Sequence, residues 1–137
     1  MTDYLTFAEV LAVHDDQIER YGGSPGVRDP GLLEAALFRP QTGYYAGLIE
    51  EAAALWESLS QNHPFIDGNK RVAFAATYTF LAINGMRITA DAEAAYDFIA
   101  RLYEANEFTF ENLVTWLRDN VAPHDRQTSV DSATRES

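Results

Sequence analysis

Residues 62–71 read Asn62-His63-Pro64-Phe65-Ile66-Asp67-Gly68-Asn69-Lys70-Arg71 and interrupt a helical apolar period that runs on both sides of them. Before the break, Ile49, Ala52, Ala53, Trp56 and Ser60 recur at helical spacing. After it, Val72, Ala76, Thr79, Phe80 and Ile83 do the same, up to the helix stop Asn84-Gly85. The stretch is therefore a loop that delivers the chain into a helix N-terminus. Working outward, Phe7, Val10, Leu11, His14, Ile18 and Tyr21 share a helical face. The capping-box pattern Thr6-Phe7-Ala8-Glu9 opens that helix and Gly22-Gly23 closes it. Asp29-Pro30 reads as an N-cap and first-turn proline before Leu32, Leu33, Ala36 and Leu37, and Pro40-Gln41-Thr42-Gly43 breaks the pattern again. Two further stripes follow: Ala95, Phe98, Ile99, Leu102, then Phe110, Leu113, Val114, Leu117 with Thr109 as N-cap. Met86-Arg87-Ile88 is the best strand candidate. The expected fold is all-α, with about six helices in a single domain over residues 1–121. Residues 122–137 read as a polar, disordered tail.

Composition narrows the function. A chain of 137 residues with 47% hydrophobic and 23% charged residues suits one soluble globular domain. It contains no cysteine, which excludes disulfides, thiolate metal sites and thiol chemistry. No apolar run reaches the roughly 18 residues of a membrane span, and Met1-Thr2-Asp3-Tyr4 lacks a signal-peptide pattern. A cytoplasmic location with no membrane partner is the expectation. A net charge of -11 argues against direct nucleic-acid binding, because backbone binders are usually basic. Lys70 is the sole lysine of the chain.

The loop holds the parts of a phosphate site. Gly68 permits backbone angles closed to other residues and close approach of a ligand. The helix that starts near Asn69 offers unpaired N–H groups and a positive dipole end, and Lys70 and Arg71 add cations there. Asp67 is the candidate ligand for a magnesium ion bridging phosphates. An imidazole is suited to taking a proton from a hydroxyl nucleophile, and His63 is the candidate base. Each residue also has a plainer reading. Asp67-Gly68-Asn69 makes a turn and an N-cap, a lone loop histidine is usually solvated, and Phe65 and Ile66 anchor the loop in the core.

The order His63-Pro64-Phe65-Ile66-Asp67-Gly68-Asn69-Lys70-Arg71 resembles the signature of the Fic/Doc family, H-x-F-x-D/E-G/A-N-G/K-R. The resemblance extends over residues 3–120. Tyr4-Leu5-Thr6, Ile18-Glu19-Arg20-Tyr21-Gly22-Gly23, Arg28-Asp29-Pro30-Gly31-Leu32-Leu33-Glu34-Ala35-Ala36-Leu37 and Trp116-Leu117 look like the Doc, or death-on-curing, branch. It implies a small helical bundle with the active loop before a central helix. It also implies ATP and Mg²⁺ as cofactors, His63, Asp67 and Lys70 as catalytic residues, and Gly68, Asn69, Lys70 and Arg71 as nucleotide contacts. Fic proteins transfer AMP to a protein hydroxyl. The Doc branch transfers the terminal phosphate of ATP to a threonine of elongation factor Tu. The AMP-transferring branch continues G-R-x-x-R after the asparagine; this chain has Lys70 and Phe74 at the two differing places, which is Doc-like, whereas Gly68 is Fic-like.

The resemblance also implies a toxin restrained in trans by an antitoxin whose C-terminal segment folds as an amphipathic helix. The self-inhibitory pattern S/T-x-x-x-E-G/N of some Fic proteins is absent from the sequence. A non-catalytic module with a vestigial nucleotide site remains the alternative from another class. His14 reads as a core histidine, Glu50-Glu51 and Asp91-Ala92-Glu93 as solvated helix starts, and Trp56 and Trp116 as packing. Arg28-Asp29 is either an internal pair or a docking surface. Arg39 to Tyr45 is the candidate flap for a protein substrate, the alternative being a plain connector.

Overall fold

The Thr6 hydroxyl accepts from the Glu9 N–H and the Glu9 carboxylate accepts from the Thr6 N–H, so the expected capping box opens α1 (Phe7–Tyr21). In the computed structural model, which describes residues 1–124, α2 spans Pro30–Phe38 and a 3₁₀ turn follows at Arg39–Gln41. Then come α3 (Leu48–Gln61), α4 (Asn69–Ile83), β1 (Met86–Ile88), α5 (Ala92–Glu104), α6 (Phe110–Asn120) and β2 (Val121–Pro123). Asp29, Asp91 and Thr109 each cap the helix after them through a side-chain oxygen. Such caps contribute about 1 kcal/mol each. Among the described residues the architecture is the expected all-α one, with six α-helices.

The α3 helix is the central element. Ala52, Ala53, Leu55, Trp56 and Leu59 are buried along it, and it packs along α4 while touching α2 and α6. Trp56 is fully buried, with Phe74, Phe98, Phe108 and Trp116 around its ring at centroid distances of 5.5–6.4 Å. Both tryptophans therefore pack, as expected. Small alanines on α3 let α4 come close, and this fixes where the loop between them can stand.

Two expectations need correction. Ala122 and Pro123 belong to β2, paired antiparallel with Arg87 and Met86, and the His124 N–H donates to the Gly85 carbonyl. The folded part thus runs past the expected boundary at 121, because β1 offers an otherwise unpaired edge. Residues 125–137 of the expected tail lie outside the described residues. Glu51 is not solvated: it is 9% exposed and accepts from the Tyr4 hydroxyl at 2.8 Å, while Glu50 accepts from the Ala46 N–H. No helix among the described residues is long and apolar enough to cross a membrane.

Candidate active site

The loop from α3 to α4 is held by its main chain. Its Phe65 is buried, and the His14 ring of α1 stacks on it at 4.0 Å with an interplanar angle of 6°. His14 Nε2 lies 2.9 Å from the Asp67 carbonyl. The Asn69 amide locks the turn from the other side, accepting from the Phe65 N–H at 2.9 Å and donating to the Phe65 carbonyl at 3.0 Å. A preceding segment then pairs with the loop. Val27 forms a β-bridge to Phe65, the Arg28 and Asp29 N–H groups donate to the Pro64 carbonyl, and the Ile66 N–H donates to the Gly26 carbonyl.

His63 stands exposed at the mouth of this loop, in the left-handed region with φ +50°. A non-glycine residue there is uncommon and needs its surroundings to hold it. Arg28 does so: its Nε donates to the His63 carbonyl at 2.7 Å and its Nη2 to the Asn62 carbonyl at 3.0 Å. These are carbonyls at the end of α3, where a cation is favoured. Arg28 and Asp29 are therefore not partners of each other. One clamps His63 and the other caps α2.

Arg28→Ala is expected to lower stability by about 1 kcal/mol, the net worth of an ordinary hydrogen bond, because the guanidinium is exposed. If His63 is the base, as its motif implies, the change is expected to lower catalysis far more, on the order of 10²-fold, through lost placement of that residue. Chemical denaturation alongside a transfer assay measures both. A loss of activity no larger than the loss of folded protein would exclude the positioning role.

Asp67 Oδ2 accepts from the Ser24 N–H at 3.0 Å and Oδ1 from its neighbour Gly68 at 2.8 Å. The Ser24 and Gly68 N–H groups hold its carboxyl below the usual carboxylate range, with smaller help from Arg71 and His14. Gly23 makes this approach possible. Its φ is +118°, and a Cβ there would stand 2.8 Å from Asp67 Oδ2. The Gly22-Gly23 pair thus does more than end α1; it seats the acid of the loop.

Gly68, at φ +75°, is the N-cap of α4, and the first intrahelical bond runs from the Val72 N–H to the Gly68 carbonyl. The N–H groups of Asn69, Lys70 and Arg71 precede that bond and face no helical acceptor. They border a cleft of about 620 Å³ lined by His63, Asp67, Gly68, Asn69, Lys70 and Arg71. All six residues singled out from the sequence are thus gathered in one place. The Asn69 amide is committed to the Phe65 main chain.

The far wall is α5, through Tyr96, Ile99, Ala100 and Tyr103. The Lys70 ammonium sits 4.0 Å from the Tyr103 ring centre, and the Arg71 guanidinium 5.0 Å from that of Tyr21. Tyr21 is 60% exposed, not core as its place on the apolar stripe suggests. Ile66 is also a correction: it is 57% exposed and lines the cleft, because the extended main chain that buries Phe65 turns the next residue outward. Sequence reading missed the α5 wall. The signal was there, since Tyr96, Ile99 and Tyr103 fall at i, i+3, i+7.

The Arg39 to Tyr45 break lies apart from this cleft. Arg39 donates to the Tyr45 hydroxyl at 2.7 Å and to Glu57 at 2.8 Å, and none of residues 39–45 lines the cleft. The segment that pairs with the active loop through its main chain is Gly26–Asp29 instead.

Comparison with known proteins agrees with this geometry. The profile of the Fic/DOC family matches residues 4–81, more than half of the chain. The chain is 47% identical over 96 residues to a protein named Toxin Doc from Mycolicibacterium smegmatis, covering 66% of this chain and 72% of that one. It is 37% identical over 91 residues to the protein named Protein kinase doc of Escherichia phage P1, covering 64% and 72%. Both the loop that carries His63 to Arg71 and the α1 helix that braces it lie inside the matched region, and the chain belongs to the Fic/Doc family.

Proposed function

We propose that this protein is a Doc-like toxin: an ATP-dependent enzyme that transfers the terminal phosphate of ATP to a serine or threonine hydroxyl of a translation factor, elongation factor Tu being the candidate. Two observations favour this over AMP transfer, and the first carries it. Lys70 puts a primary ammonium inside the cleft at the first turn of α4. Phe74, where the AMP-transferring branch has its second arginine, is buried against Trp56 and Tyr96 instead. The names of the two relatives, a toxin and a protein kinase, support the same reading.

The chemistry asks for positioning and charge neutralisation. His63 takes the proton of the acceptor hydroxyl, whose oxygen attacks the terminal phosphorus. The bond from that phosphorus to its bridging oxygen breaks, and ADP leaves. Lys70, Arg71 and the free N–H groups of α4 hold the phosphate oxygens. Asp67 is the only carboxylate lining the cleft, and the described residues contain no grouping of three or more metal-binding side chains. That suits magnesium, which takes one or two protein carboxylates and completes its shell with phosphate oxygens and water. When bound, the ion neutralises charge on those oxygens.

The partner that restrains such a toxin is an antitoxin. With a net charge of -11 here, its docking helix is expected to carry lysine and arginine around an apolar stripe. Expression of the chain is expected to arrest growth with loss of protein synthesis, and co-expression of the adjacent small reading frame to restore it. Undiminished translation in arrested cells, or a neighbour that neither binds nor rescues, contradicts the toxin reading.

A further inference from the structure

Lys70 and Arg71 are the cations of the cleft, and neither stands in an ion pair among the described residues. The ion pairs there are Arg20–Asp16, Arg39–Glu57 and Arg118–Glu50, so Lys70 has no carboxylate partner among the described residues. A flexible four-carbon stem without a partner would sample many rotamers. Here the ammonium is instead centred over Tyr103 at 4.0 Å.

That ring is itself fixed. The Phe108 ring stacks against it at 4.5 Å and 22°. The Tyr103 hydroxyl is hydrogen-bonded to Ser60 of α3, which is 1% exposed. Burial pushes the Tyr103 phenol up to about 12, so it stays a neutral ring at working pH. The two anchors come from α3 and the segment before α6, which ties the ring to the bundle independently of Lys70.

From this arrangement we infer that Tyr103 is a positioning residue for the reaction: its ring seats Lys70 over the phosphate end of the cleft without neutralising it. A carboxylate in the same place would hold the lysine equally well but cancel the charge that a phosphate needs. A ring face attracts the cation and leaves its full charge available. The inference rests on the phosphoryl-transfer reading for its consequence, though the seat itself is a structural statement.

Because Lys70 is the only lysine, lysine-selective isotope labelling of the whole protein yields a single side-chain NMR signal. In the parent protein the ε-methylene resonance is expected upfield of its free-lysine position, from the ring current of Tyr103. Tyr103→Phe, which keeps the ring, should retain that shift, and Tyr103→Leu should lose it. The same pair separates the energetic role. Tyr103→Leu should raise the KM for ATP or lower kcat by about threefold to tenfold, and Tyr103→Phe should recover most of that loss. A Lys70 signal unmoved by Tyr103→Leu overturns the seat. So does equal damage from both variants, which would assign the effect to the bond with Ser60. A ring-dependent Lys70 signal in a parent that transfers no phosphate leaves the seat standing and removes the phosphoryl-transfer reading instead.

Discussion

His63→Ala is expected to lower transfer to the protein acceptor by about 10²–10⁴-fold, the usual contribution of a general base. The fold should survive the change. His63 is exposed, and its main chain is held by Arg28 whatever side chain it carries. Histidine tolerates φ +50° somewhat better than alanine does, so the change adds slight backbone strain at one exposed position. Circular dichroism and the thermal midpoint should therefore match the parent while growth arrest on expression disappears. Persistent arrest by a folded variant would remove His63 from the chemistry.

The second large effect is expected at Asp67. Asp67→Ala removes the one carboxylate of the cleft and should cost on the order of 10²-fold in rate, with a weakened dependence on magnesium. Gly23→Ala should reproduce part of this from outside the motif, because its methyl group would press on Asp67 Oδ2. The carboxyl also links stability to pH. Its folded value lies below the ordinary 3.8, so the stabilisation is complete above that value and is lost as pH falls through the folded one. The difference in urea midpoint between parent and Asp67→Ala should accordingly be present at neutral pH and vanish in strong acid. A difference that persists unchanged in acid would mean that the carboxylate charge is not what the Ser24 and Gly68 N–H groups hold.

Much of the site was legible because it is local. Gly68, Asn69, Lys70 and Arg71 are consecutive, and a glycine before a helix start fixes where their N–H groups and cations go. The caps at Thr6, Asp29 and Thr109 were legible for the same reason: each acts within three residues. What the sequence hid was held by long-range contacts. Arg28 reaches His63 across 35 positions, Ser24 reaches Asp67 across 43, and His14 reaches Asp67 across 53. Nothing in the local pattern of Arg28-Asp29 distinguishes a clamp from an ion pair. The α5 wall was hidden differently. Its cleft-lining face, Tyr96 and Tyr103, is shifted by one position from the core stripe Ala95 and Leu102, and both faces satisfy a helical period. Ile66 shows the limit of reading by residue type, since an apolar side chain in a loop carries no sign of which way it turns.

The claim that this loop transfers the terminal phosphate is tested most directly by ATP labelled at one end or the other. The purified protein is incubated with magnesium, a translation extract and ATP carrying label on either the terminal or the innermost phosphate, and the proteins are separated. Label from the terminal phosphate on a protein band, absent with His63→Ala, is the expected result. Label from the innermost phosphate would instead assign AMP transfer, and no protein label from either would contradict an active enzyme.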